Sequence, residues 1–377
     1  MKIAYFIRED FSQLISPCYY NLLPEFEKKG HEITVMNASG KFSDYDCIKV
    51  SPKKFPDYPS GAINKLEFSK ACRKEIEKKD FDLVFSSAPE YLYYLNDFKI
   101  PKISMVQDDW SERMKFTPWI GGISLGKSIP LPMKSKIRQL LDIKIQKKSI
   151  EKADGVIFVN KSFAAKHAAK NKAVIPNGAD FGSLRKNTKE IKQIKEKFGK
   201  EIVLFLGRLE LQKNPFLFAR IAEQLEHKTG AKFLMIGEGE ERKSLENFIK
   251  KRGIGNIAML GWINGMQKSS FLHASKICVL PSLFDPFPVS MIEAMYAENA
   301  LVASDVGGIK DAIIHNENGL LCKNNDIDSF RNSAKLLLNH SDEARRLAKN
   351  AKKSAEKNYS IKNIAKQYLD FFEKVIK

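Results

Sequence analysis

Two cations sit five positions apart in VLFLGRLELQKNP (Val203–Pro215), where an apolar run ends at Gly207 and Arg208 and Lys213 follow before a helical pattern. A guanidinium and an ammonium beside a helix amino terminus form an anion site, because the positive dipole end and both charges converge. Two solvated loop charges would carry the same spacing. Further on, VLPSLFDPFPVSMIEAM (Val279–Met295) places Asp285 in a loop and Glu293 eight positions later on the next helix. The chain turns between them, so the carboxylates can grip separate hydroxyl groups of one extended ligand, unless both are simply exposed acids. Pro286 and Pro288 lack N–H groups and stiffen this loop, leaving the N–H groups of Phe287 and Val289 to donate to phosphate or sugar oxygens. In a third block, ISMVQDDW (Ile103–Trp110), Asp108 or Asp109 suits an acceptor base, and a helix cap followed by an exposed acid fits equally well. No clustered ligands accompany these acids and no pair of the six histidines has metal-ligand spacing, so no metal is expected.

Such residues need strands that end at one edge. Short β-rich runs alternate with amphipathic segments along nearly the whole chain, the pattern of parallel sheets with crossover helices. In the first half the predicted strands are Ile3–Ile7, Glu32–Met36, Leu83–Ser86, Lys102–Val106, Gly155–Val159 and Ala173–Ile175, separated by helices such as Tyr19–Lys29, Ile63–Lys79 and Lys136–Lys152. The second half repeats the scheme with strands Ile202–Phe205, Lys232–Ile236, Ile257–Leu260, Ile277–Leu280 and Leu301–Ser304. Turn residues at IPNGADF (Ile175–Phe181), followed by the polar, Lys-rich stretch Ser183–Lys200, mark the seam. The expectation is a first domain over 1–182 and a second over 183–356. A C-terminal helix over about 357–377 packs back on the first, with Ile364, Tyr368, Phe371, Phe372 and Ile376 on one face. Two doubly wound halves would leave a cleft facing the carboxyl ends of both strand sets, where open α/β sheets bind ligands.

The length of 377 residues suits two domains, and 43% hydrophobic with 29% charged residues excludes disordered, collagenous and disulfide-stapled chains. A net charge of +18 calls for an anionic partner. Five cysteines without CxxC spacing argue for a reducing compartment and against structural zinc. The opening MKIAYFIRED is too short an apolar run for a signal peptide, and no stretch approaches roughly 18 apolar residues. The expected location is cytoplasmic, with peripheral attachment to the inner face of the membrane as an open alternative.

Taken together, these blocks resemble the retaining, GT-B-fold glycosyltransferases of family 4 (glycosyl transferases group 1). Arg208 and Lys213 match that family's paired cations, and Pro281, Ser282, Asp285 and Glu293 match its Pro-Ser and Glu-x7-Glu signature, with Asp in place of the first Glu. Gly237 and Gly239 of IGEGEER, Leu260–Gly261, SDVGG (Ser304–Gly308), NGLL (Asn318–Leu321) and IPNGAD (Ile175–Asp180) follow in the family's order, and KKGHEITV (Lys28–Val35) extends the likeness to the first half. Gln107 stands where many members have histidine, Glu298-Asn299-Ala300 replaces a Gly-x-Pro, and REDFSQLISP (Arg8–Pro17) lacks the usual paired glycines.

The resemblance implies an α/β chain of two Rossmann-like domains and transfer of a hexose-type sugar from a UDP- or GDP-sugar. The acceptor is a glycan or lipid-linked molecule, and neither metal nor cofactor takes part. Arg208 and Lys213 would hold the donor diphosphate and stabilise it as it leaves. Glu293 would accept from ribose hydroxyls and Asp285 from the transferred sugar. Gly237, Leu260, Gly261, Ile263 and Lys268 would border the nucleotide, Phe287 and Val289 would offer N–H groups, and Gln107 and Asp108 would serve the sugar and acceptor.

The first 182 residues hold thirty basic against twenty-two acidic residues, and Arg113–Lys148 alone holds nine basic against one acidic. Basic residues interleaved with Phe116, Trp119, Ile120, Ile129, Leu131 and Met133 suit docking on an anionic membrane face, as they would a solvated helix beside a core-covering loop. Two other readings fit the charge and architecture: a nucleotide-sugar epimerase, and a non-enzymatic nucleic-acid-binding protein. No base-reading module is recognisable, so no specific nucleic acid is expected.

Overall fold

GVIF (Gly155–Phe158) and ICVL (Ile277–Leu280) are apolar and buried at every position, as strands covered on both faces must be. The structure is a computed structural model describing residues 1–7, 17–40, 42, 45–51, 62–109, 111–112 and 133–377, the side chains of 17–20, 62–63 and 133–139 excepted. Two parallel sheets emerge. The first contains β1 (Lys2–Phe6), β2 (Glu32–Asn37), β3 (Asp46–Lys49), β4 (Leu83–Ser86), β5 (Lys102–Val106), β6 (Gly155–Phe158) and β7 (Lys172–Val174) in the order β3-β2-β1-β4-β5-β6-β7. The second contains β8 (Ile202–Leu206), β9 (Lys232–Ile236), β10 (Ile257–Gly261), β11 (Ile277–Leu280), β12 (Ala300–Ser304) and β13 (Leu320–Cys322) in the order β10-β9-β8-β11-β12-β13. Both orders reverse once, between β1 and β4 and between β8 and β11. These reversals are the topological switch points of doubly wound, Rossmann-like sheets.

Two compact units hold these sheets: Met1–Asn177 with Ile361–Lys377, and Gly178–Ser360. The seam thus falls five residues before the expected boundary. The cause is local: Ala179 bridges to Ser360, and its N–H donates to the Tyr359 carbonyl at 3.0 Å within the second unit. Ser183–Lys200 is also more than a polar seam. Asn187 caps a helix over Thr188–Phe198, its side chain accepting from the Glu190 N–H, while Ile194 is buried and Ile191 and Phe198 are half-buried on the same side. That face packs on the helix Gly265–Ala274, where the Ser270 hydroxyl donates to Glu190 at 2.6 Å.

The helix Ile361–Ile376 completes the first unit. Phe372 lies 5.7 Å from the Phe26 ring and 5.0 Å from Phe85, and Tyr368 lies 5.8 Å from Phe85. Gly155 at the start of β6 lets this helix approach: a Cβ there would sit 2.8 Å from a Val375 methyl and 3.1 Å from the Phe371 ring. Among the described residues no helix is long and apolar enough to cross a bilayer.

Candidate active site

The second unit gathers its polar chemistry where β8, β9, β10 and β11 end. Gly207, after β8, donates to the Ile236 carbonyl at 3.1 Å, and Leu209 donates to the Glu238 carbonyl at 2.8 Å. Gly237 in turn donates to the Gly261 carbonyl at 2.8 Å, so the three strand-end loops are stitched side by side. Glycine is required at the crossing points. A Cβ on Gly237, whose φ is +146°, would collide with the Gly207 carbonyl, and one on Gly239 would meet the Leu209 carbonyl. The pairing of β10 with β9 shifts register between Met259 and Gly261, which leaves Leu260 at a bulge and turns the chain towards Trp262 and Ile263.

Arg208 stands on this floor, its guanidinium donating to Glu210 at 2.6 Å. Lys213 ends a short 3-10 turn (Leu211–Lys213); Asn214 follows in the left-handed region at φ 52°, and Pro215 opens the helix Pro215–Thr229. Across the switch point, the loop after β11 delivers Asp285. The Lys213 ammonium donates to its Oδ2 at 2.5 Å, and the Ser282 hydroxyl donates to the same oxygen at 3.2 Å. Glu293 lies on the helix Val289–Tyr296 and accepts from Lys268 at 2.7 Å. Pro288 precedes that helix without a side-chain cap, and Val289 is its first residue. Phe287 turns its ring inward, edge-on to Tyr359 at 5.4 Å. Gly307 and Gly308 of the SDVGG loop press against the Asp285 and Pro286 carbonyls, where a Cβ on either glycine would collide.

The structure therefore joins Lys213 to Asp285, and Lys268 to Glu293, over loops held together through Gly207, Gly237 and Gly261. Lys268 is engaged with a carboxylate, where the sequence put it only beside the nucleotide base. The Lys268–Glu293 bond went unseen in the sequence, because a partner 25 positions away on another helix leaves no periodic trace. Ser282 was matched there only as part of the Pro-Ser signature, and the short-range bonds of Glu210 to Arg208 and of Ser282 to Asp285 come from the structure. Among the described residues no group of three or more His, Cys, Asp or Glu is arranged to hold a metal ion.

In the first unit, Gln107 follows β5 and its amide donates to Asn177 Oδ1 at 2.7 Å, while the Asp108 carbonyl accepts from Gln146 at 2.9 Å. Asp109 has the hydrogen-bonding geometry of a cap. Fully buried, it accepts from the Ser111 N–H at 2.8 Å, the Ser111 hydroxyl at 2.5 Å and the Glu112 N–H at 3.2 Å, and it bonds His167 Nε2 at 2.8 Å. Burial alone would raise its pKa; the His167 and Ser111 hydrogen bonds outweigh burial and hold the carboxyl below its usual range. His167 stacks on Phe158 at 5.8 Å, a structural role. The Arg8–Pro17 loop lies outside the described residues up to residue 16, as do 113–132 of the basic stretch.

The family model described as Glycosyl transferases group 1 matches residues 186–354, and that of Glycosyltransferase Family 4 matches residues 17–182. Over 182 residues the chain is 31% identical to a Campylobacter jejuni enzyme, the GalNAc-alpha-(1->4)-GalNAc-alpha-(1->3)-diNAcBac-PP-undecaprenol alpha-1,4-N-acetyl-D-galactosaminyltransferase, covering 47% of this chain and 50% of that one. Over 175 residues it is 32% identical to the Escherichia coli UDP-Gal:alpha-D-GlcNAc-diphosphoundecaprenol alpha-1,3-galactosyltransferase, covering 43% of each. The matches thus span half or less of these relatives' lengths. Among solved structures, a sucrose-phosphate synthase from Thermosynechococcus elongatus superposes with a TM-score of 0.82 at 18% identity, covering 100% of this chain and 99% of its own.

Proposed function

The chain belongs to the group 1, family 4 glycosyltransferases and has their GT-B fold, and from that premise we propose that it moves a hexose-type sugar from a UDP- or GDP-sugar to a glycan or lipid-linked acceptor. One observation carries this reading: Lys213 and Asp285 meet from the loops after β8 and β11, the two strands that flank the switch point of the second sheet, with Arg208 in the same β8 loop. Arg208 and Lys213 bind the donor diphosphate. When the bond from the anomeric carbon to the phosphate oxygen breaks, the two cations take up the charge that develops, the role a metal plays elsewhere. Glu293, oriented by Lys268, accepts from the ribose hydroxyls.

Transfer keeps the anomeric configuration. The acceptor oxygen bonds to the anomeric carbon on the face the phosphate leaves, and its proton passes to the departing phosphate oxygen. That route requires no base from the chain. The undecaprenol-linked acceptors named for the two bacterial relatives support a lipid-linked acceptor, and the UDP-galactose of one supports a UDP donor. The helix Met133–Lys152 offers a surface for it: Leu140 and Leu141 are 58% and 46% exposed beside Lys144, Lys147 and Lys148.

A thermal-shift panel of UDP- and GDP-sugars in chelator, followed by NMR of the product, tests the reading. A nucleotide at 100 times its Kd adds about 2.7 kcal/mol of stability. Arg208→Ala with Lys213→Ala should abolish that shift and leave the free protein folded. Undiminished nucleotide binding by the double variant removes the site, and an inverted anomeric centre removes the stereochemical assignment.

A further inference from the structure

The loops that carry Lys213 and Asp285 are fastened to each other by backbone. The Leu283 N–H donates to the Gln212 carbonyl at 2.8 Å, and the Gln212 amide donates to the Phe284 carbonyl at 3.1 Å. On the far side the Asp285 carbonyl accepts from the Gly308 N–H at 3.0 Å. The Asp285 backbone is thus fixed from two directions, and an aspartate carboxyl reaches only one methylene beyond it. Its side chain is 4% exposed, against 18% for Lys213. Lys213 is the more solvent-exposed partner, and the carboxylate is the more deeply buried.

We propose that Asp285 is a positioning residue for Lys213 and not a ligand of the transferred sugar. The shorter carboxylate anchors the ammonium beside the switch point, and Ser282 fixes the carboxylate oxygen that does so. A lysine ammonium has three N–H donors, so one bond to Asp285 leaves two for phosphate oxygens. A free lysine stem samples many rotamers and must be ordered when an anion binds; an anchored one is ordered beforehand, which strengthens diphosphate binding. This inference rests on the nucleotide-sugar reading above and reassigns the position that the family resemblance gives to a sugar contact.

Calorimetric titration of UDP and of UDP-glucose into wild type, Asp285→Asn, Ser282→Ala, Lys213→Ala and the Asp285→Asn/Lys213→Ala double variant decides it. Asp285→Asn should weaken both ligands by the same factor, about tenfold, with their affinity ratio preserved. Ser282→Ala should act in the same direction and more mildly, and Asp285→Asn should add nothing once Lys213 is alanine. The inference is overturned if Asp285→Asn weakens UDP-glucose and leaves UDP untouched, or if its effect persists without Lys213. Wild type binding no UDP- or GDP-linked ligand would defeat the donor reading alone. The pair would then be read from melting temperatures, where non-additive losses for Asp285→Asn and Lys213→Met uphold the anchoring and additive losses reject it.

Discussion

Gly237 shows how little freedom the candidate site allows a single residue. Alanine there would drive its methyl into the Gly207 carbonyl and part the loops after β8 and β9. Displacing Arg208 by even about 1 Å is expected to slow transfer about 100-fold. Gly253→Ala is the control, since that glycine is also left-handed at φ +65° yet has open space around it, and it should leave the rate unchanged. Asp109 gives a second expectation at this scale. Its folded pKa lies below the unfolded value of about 4, so its stabilisation is complete above that pH and is lost as pH falls through the folded pKa. Acid titrations followed by circular dichroism should show Asp109→Asn less stable near neutrality, by about 1–3 kcal/mol, with a shallower fall in stability below pH 4. Arg208, Lys213, Asp285 and Glu293 were legible in the sequence because each lies just past a strand or on the helix that follows. The His167–Asp109 bond was not, since its partners are 58 positions apart and belong to different loops.

Elements with a strong apolar period were equally legible, and those with a weak one were hidden. β4, β5, β9 and β11 fall on the predicted residues because their runs are short, apolar and bounded by turns. The edge strands β3 and β13 were missed; DCIK is only half-buried, and LLC is three residues long. In the second half the sequence pattern picks out helices over Pro215–Lys228, Glu240–Arg252, Ser290–Ala297 and Ile327–Leu338 but not Ser341–Asn358, four of whose five buried positions are alanine (Ala344, Ala348, Ala351 and Ala355), with Leu347 between them. Alanine buries snugly but contributes little hydrophobic contrast. The C-terminal helix, by contrast, presents large aromatic rings. Phe372→Ala should cost about 3–5 kcal/mol through the cavity left between Phe26 and Phe85. Hydrogen exchange should register that loss in β1 and β4 and leave protection of β8 and β11 unchanged; equal losses in both sheets would contradict this placement.

At the scale of the whole molecule the charge of +18 sets a general attraction for anions, and the helix Met133–Lys152 carries seven basic residues against two acidic ones. Replacing Lys144, Lys147 and Lys148 by glutamine should weaken binding to anionic vesicles by about 3 kcal/mol, roughly a hundredfold, at low salt. Nucleotide affinity should be unchanged, and raising the salt should erase the difference. Co-sedimentation checks this, and equal binding by wild type and variant would mean that the lysines are only solvated. The first unit is also discontinuous, drawing its last helix from Ile361–Ile376. During synthesis, therefore, β1 to β7 emerge from the ribosome long before Tyr368 and Phe372, and one face of their sheet must wait only partly covered, by Leu22, Leu23 and Phe26. The intervening 178–360 can fold first, so the half that is made earliest is the half that is finished last.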